Sequence, residues 1–177
     1  MANIIEEKRN RIGIITVNRP EQLNSMNVET RSEMADSFEK MDNDPKIAVV
    51  ILTGSPGKAF IAGADIKEFA EMKLENSEER KEDWRVTKVI SGMKKPVIAM
   101  IDGFCLGGGL EIAMSCDLRI SSNRSKLGQP EINIGIIPGA GGTQRLTRLL
   151  GEGRAMELSL TGRMIAAEEE HQYGILN

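Results

Sequence analysis

The chain is 177 residues long, enough for one domain that buries roughly 70% of its unfolded surface. Lys and Arg number 23 against 26 Asp and Glu, a net charge of −3, and aromatics make up 3%, so neither a nucleic-acid partner nor a base-stacking platform is expected. No apolar run approaches the ~20 residues that span a bilayer, and the charged start MANIIEEKRN lacks the apolar core of a secretory signal. Cys105 and Cys116 form no CxxC pair and have no histidine nearby, so they read as reduced small hydrophobes in a cytoplasmic protein without a membrane partner.

Strand and helix signals alternate along the chain without a linker, low-complexity segment or internal repeat, the pattern of one α/β domain. Ile4–Glu7 and Ile12–Val17 predict two short strands around the turn-prone Arg9–Arg11, with Pro20 ending the second. Val28, Met34, Ala35, Phe38 and Met41 fall at helical spacing, with Asn27 as the expected N-cap. The apolar runs Ala48–Thr53 and Val97–Ile101 predict strands covered on both faces.

Between those runs, GSPGKAF lacks both the glycine spacing and the Ser/Thr after lysine that a phosphate-binding P-loop needs. Ala62, Gly63 and Ala64 are small enough to leave their backbone exposed just ahead of a helix expected to start near Asp65, which makes this segment a candidate donor of N–H groups. Glu68–Asp83 holds seven acidic and three basic residues and reads as a solvated outer helical face, with a lid as the other option.

The stretch IDGFCLGGGLEIAMSCD, Ile101–Asp117, is the most informative. Gly107, Gly108 and Gly109 let the backbone turn sharply out of the preceding strand and allow a ligand close to their N–H groups. Leu110–Ser115 reads as a short helix, so those N–H groups lie at a helix N-terminus, suited to an anion or a developing oxyanion. Glu111 lies in the first turn, close to that hole.

Leu118–Ile120 predicts a further short strand. Glu131 then follows Pro130, flanked by Ile132, Ile134, Ile136 and Ile137; an unpaired buried carboxylate is costly, so this one is either paired or chemically employed. Gly139, Gly141 and Gly142 turn the chain into the helix Thr143–Leu150 or line a pocket, and a second helix follows over Glu152–Thr161. Met34, Met41, Met100 and Met114 read as core, His171 as a surface residue and Gly174 as a helix C-cap.

FIAGADIKEF, GFCLGGGLEIAMSCD and GQPEINIGIIPGAGGTQRL, in this order, closely resemble the crotonase, or enoyl-CoA hydratase/isomerase, superfamily, and the likeness covers essentially the whole chain. The resemblance implies an α/β fold in which β-β-α units wind into a spiral, and an acyl-CoA thioester as substrate. It places the thioester oxygen on the backbone N–H groups of Ala64 and Gly108, and two glutamates, Glu111 and Glu131, at the Cα–Cβ bond. It assigns Glu131 the main acid/base role and Glu111 the orientation of water. CoA is expected along Ala62, Ala64, Asp65, Ile66 and Lys67, and at Gly108; Glu21 stands where relatives often carry a basic residue.

The resemblance further implies no metal or redox cofactor, CoA being part of the substrate, and a homo-oligomer, a trimer or hexamer. Residues 1–177 match the catalytic domain and stop before the C-terminal helices that close the acyl pocket and build trimer contacts; the apolar surface those helices would cover is expected to be exposed and to drive non-native association or lower stability. Enoyl-CoA hydration is the activity implied. Another crotonase reaction such as isomerisation, and a non-catalytic acyl-CoA-binding fragment, stay open at this point.

Overall fold

The computed structural model describes residues 2–65, Glu68 and residues 77–177. Among the described residues, nine strands form two sheets: β1 (Ile4–Arg9), β2 (Ile12–Val17), β3 (Val49–Gly54), β5 (Val97–Ile101) and β7 (Leu118–Ser121) in the order β1-β2-β3-β5-β7, and β4 (Ala59–Ile61), β6 (Phe104–Leu106), β8 (Lys126–Gly128) and β9 (Met164–Ala166) in the order β4-β6-β8-β9. Helices among the described residues include α1 (Val28–Asn43), α2 (Ser77–Gly92), α3 (Gly108–Ser115), α4 (Gly142–Leu150), α5 (Glu152–Thr161) and α6 (Ala167–Tyr173).

The topology follows from repetition. In each of the pairs β3-β4, β5-β6 and β7-β8, the first strand joins the larger sheet and the second joins the smaller, and the chain then passes into helix and returns. Each turn of this β-β-α spiral therefore lays one parallel strand beside the last in both sheets, so that β4, β6 and β8 run side by side with their carboxyl ends aligned. Carboxyl ends of parallel strands are where α/β sheets place ligands.

Local signals explain the elements. Asn27 has extended backbone and its Oδ1 accepts the Thr30 N–H at 2.9 Å, the N-cap that starts α1, worth about 1 kcal/mol. Met34, Ala35, Phe38 and Met41 are fully buried on one face of that helix. The β1–β2 turn uses Asn10 in the left-handed region, and Gly174 closes α6 there as well.

The continuous apolar strands behave otherwise than expected. In β3 and β5 burial alternates: Val50, Leu52, Val97, Ala99 and Ile101 face the core, while Val49, Ile51, Ile98 and Met100 lie on the opposite, partly open face. Across the register, Met100 stands beside Ile120 and Ile98 beside Leu118, and Met100, Leu118 and Ile120 are all more than 40% exposed. Met100 is thus a surface residue and not core. No helix among the described residues is long and apolar enough to cross a membrane.

Candidate active site

Three neighbouring parallel strands each deliver one part of the site just beyond their carboxyl ends. β4 runs into Gly63-Ala64, β6 into Gly107-Gly108 and α3, and β8 into Gln129 and the 3-10 turn Pro130–Ile134 that carries Glu131. The strands approach closely because glycine permits it: a Cβ on Gly109 would lie 2.2 Å from the Ile61 carbonyl oxygen.

The two expected N–H donors share a construction. Met26 forms a parallel bridge with Ala64 in which the Met26 N–H donates to the Gly63 carbonyl at 2.9 Å and the Asp65 N–H donates to the Met26 carbonyl at 3.0 Å. In a trans peptide the N–H points opposite to the C=O, so anchoring the Gly63 carbonyl on Met26 aims the Ala64 N–H away from the bridge. Ala64 is exposed. At the other donor, the Gly107 carbonyl accepts the Glu111 N–H at 3.0 Å and the Gly107 N–H is fixed on the Gly128 carbonyl at 2.9 Å, leaving the Gly108 N–H at the first position of α3. Gly107, at φ 53°, makes this turn possible. A carbonyl already engaged at its back polarises its amide and sharpens the N–H as a donor.

Of the other expected CoA-contacting residues, Ala62 and Asp65 spend their N–H groups on the Leu23 and Met26 carbonyls. Ile66 and Lys67 lie outside the described residues, as does most of the start of the charged segment expected to be a solvated face or lid. Among the described residues of this loop, Ala64 N–H enters no backbone hydrogen bond.

Both glutamates are buried. Glu111 is 3% exposed, and its Oε1 accepts the N–H groups of Ala140 and Gly142, each at 2.7 Å. These donors exist because Gly141, at φ 99°, swings the chain into α4 and turns that helix's N-terminus onto the carboxylate. The glycine-rich turn thus leads the chain into α4 as expected, and it has a further task. It holds Glu111.

Glu131 is 9% exposed and sits against Gly107, where an added Cβ would come within 3.3 Å of its Oε1. Fully buried Gln129 turns its amide nitrogen to it, at 2.7 Å from Oε1 and 2.9 Å from Oε2; the opposite assignment would set an oxygen against two carboxylate oxygens. Burial, reinforced by the negative charge on Glu111 and opposed by its own backbone amide, pushes the Glu131 carboxyl up to about 7. The isoleucines expected to enclose Glu131 do not: Ile132, Ile134 and Ile137 are exposed, the 3-10 turn pointing the first two outward while Glu131 points in.

Sequence reasoning missed Gln129, Ala140 and the N–H of Gly142. The polar Gln129 between Gly128 and Pro130 was the one signal available. Among the described residues no cluster of His, Cys, Asp or Glu could hold a metal ion.

A spiral of β-β-α units with paired carboxylates and two outward N–H groups at the ends of its parallel strands defines the crotonase fold class. The enoyl-CoA hydratase/isomerase family matches residues 7–177, and the chain belongs to that family. It is 46% identical over 176 residues to the short-chain-enoyl-CoA hydratase of Clostridium acetobutylicum, covering 99% of this chain and 67% of that protein. To the crotonyl-CoA hydratase of Syntrophomonas wolfei subsp. wolfei it is 43% identical, covering 99% of this chain and 68% of the relative. The crystal structure of an enoyl-CoA hydratase from Bacillus anthracis superposes with a TM-score of 0.95 at 41% identity, over 99% of this chain and 69% of that one. The chain thus spans about two thirds of the length of these relatives.

Proposed function

We propose that this protein is an enoyl-CoA hydratase, a hydro-lyase that adds water across the double bond of a trans-2-enoyl-CoA to give the 3-hydroxyacyl-CoA. The observation that carries the reading is the pairing of Glu131 with Glu111 beside the turn that presents the Gly108 N–H. The relatives' names support it.

In the proposed reaction the thioester oxygen sits on the N–H groups of Ala64 and Gly108. Glu111, fixed by Ala140 and Gly142, orients a water molecule. Ionised Glu131 takes a proton from that water as the oxygen bonds to Cβ, and the π electrons move through Cα onto the thioester oxygen as an enolate. The enolate then collapses, Cα takes the proton from Glu131, and the carboxylate is regenerated. Preorganised donors matter because the oxygen gains charge only on the way to the enolate; losing one costs about 3–4 kcal/mol. A carboxyl near 7 suits a group that must both take and return a proton near neutral pH. No electron is gained or lost overall, so the reading needs no redox cofactor, and CoA enters with the substrate.

The reading extends to a cytoplasmic homo-oligomer acting on intermediates of fatty-acid β-oxidation. Two free buried thiols and the open apolar sheet face of Met100, Leu118 and Ile120 support the compartment and the self-association respectively.

The test is loss of the conjugated-thioester absorbance of crotonyl-CoA, followed for the parent, Glu131→Gln and Glu111→Gln. Hydration by the parent and its loss in both variants is the expected result. Unchanged rates in the variants would refute the two-carboxylate reading, and binding without turnover in the parent would replace hydration with acyl-CoA binding alone.

A further inference from the structure

The segment that aims the Ala64 N–H is itself held by a side chain with no role in the chemistry so far. Residues 19–26 form a knotted turn against the end of β4. Asn24, 1% exposed, accepts the Arg19 N–H at 2.9 Å on Oδ1 and donates from Nδ2 to the Ala59 carbonyl at 2.8 Å; the Leu23 carbonyl takes the Ala62 N–H, and Met26 bridges Gly63 and Asp65. The backbone bridge itself is one residue wide.

The Arg19 guanidinium straps both sides of that bridge. Its Nη1 donates to the Ser25 carbonyl at 2.5 Å and its Nη2 to Asp65 Oδ2 at 3.1 Å, so it spans the residue before Met26 and the residue after Ala64. The pair is largely shielded, with side chains 14% and 18% exposed. A rigid two-pronged donor can hold two acceptors at a fixed separation in a way a single ammonium cannot. Glu68 adds a second tie further along, accepting the Val28 N–H at the start of α1 at 2.9 Å.

We infer that Arg19 is a positioning residue: by clamping Ser25 to Asp65 it fixes the Gly63-Ala64 peptide plane and thereby the direction of the Ala64 N–H toward a thioester oxygen. The inference rests on the proposed function for the identity of that oxygen, though not on turnover. An N–H turned away by a fraction of an ångström still permits binding but stabilises the enolate less, so the loss falls on kcat more than on KM.

The experiment pairs kinetics with a spectroscopic probe. A conjugated dienoyl-CoA such as 2,4-hexadienoyl-CoA absorbs further to the red when donors polarise its carbonyl, with or without hydration. Arg19→Gln is expected to lower kcat for crotonyl-CoA on the order of tenfold, with KM nearly unchanged and the red shift of the bound dienoyl-CoA reduced. Asp65→Asn, which keeps the Arg19 bond to Ser25, should reduce both less, and the double variant should be no worse than Arg19→Gln because both act through one clamp. Should Arg19→Gln fail to fold, Asp65→Asn alone reads the shift. A parent that shifts the probe but does not hydrate crotonyl-CoA refutes the hydratase reading, while the variants still test the clamp through the shift. An unaltered red shift in both variants, or multiplying effects in the double variant, overturns the inference, and so does a parent that leaves the probe unshifted.

Discussion

The reading of Glu131 as the proton carrier is exposed to one measurement, the pH dependence of kcat/KM. With its carboxyl pushed up to about 7 by burial and by the charge on Glu111, the group is mostly ionised at pH 8 and only about 1% ionised at pH 5. Hydration in the proposed sequence begins from ionised Glu131, and so does dehydration, because the same carboxylate must remove the Cα proton on the way back. Both directions should therefore fall together below pH 7, by about tenfold per unit, to about one hundredth of the plateau at pH 5. A carboxyl at the ordinary value of 4.5 would lose less than about twofold over the same range. Initial rates with crotonyl-CoA at low substrate and with the 3-hydroxy product, from pH 5 to 8.5, separate the two cases. Glu170 also stands near 7, so the assay is repeated in Glu170→Gln, where the limb should persist. A profile flat from pH 8 to 5.5, or a limb present in only one direction, would refute the assignment.

Glu170 is fully buried, with Oε1 on the Leu127 N–H at 2.8 Å and no hydrogen-bond partner for Oε2 among the described residues. Burial raises its carboxyl to about 7, so the folded state holds a proton that the unfolded state has released between pH 4.5 and 7, and stability falls as pH rises through that window. Glu170→Gln should therefore gain on the order of 3 kcal/mol relative to the parent between pH 4.5 and pH 8 in urea titrations, and equal gains at both pH values would count against it. Gly142→Ala sets a Cβ 2.7 Å from Pro138 and 2.8 Å from Glu111 Oε1, so kcat should drop by about 10²-fold while the protein stays folded by circular dichroism; normal turnover would show that Glu111 does not need its present position. Asn27→Ala removes the α1 cap and should cost about 1 kcal/mol of stability with kcat unchanged.

Long periodic stretches were legible, and short ones were not. α1 carries five turn-spaced apolar positions and a capping asparagine, and Glu152–Thr161 is bracketed by Gly151 and Gly162, so both helices could be placed from the sequence. β4, β6, β8 and β9 have three residues each, too few for any period to show, yet β4, β6 and β8 build the site. Continuous apolar strands such as Val97–Ile101 do not reveal whether a second layer covers them, which is why Met100 read as core. Ala64, Gly108, Glu111 and Glu131 were marked by exposed small residues and by carboxylates in apolar sequence. The partners that orient Glu111 lie 29 and 31 positions away, and local pattern carries no information over that separation.

The two donors and the two carboxylates are held in different currencies, and this shapes how the site can change. In the proposed reaction Ala64 and Gly108 act through peptide planes whose carbonyls are tied behind them, so their direction depends on Met26, Gly128, the start of α3 and, at Ala64, the Arg19 clamp, and survives side-chain substitutions elsewhere. Glu111 and Glu131 are side chains in a buried setting, and the same burial that lifts Glu131 to about 7 costs stability wherever the group is ionised. Ionised Glu131 is the form the proposed reaction uses, so the working pH range is the one in which that carboxylate weakens the fold. The hydrogen bonds from Gln129 offset part of that cost without removing the basicity the reaction needs. Changes in chemistry within this fold should therefore arise at the carboxylates and at Gln129, while the paired N–H groups stay in place.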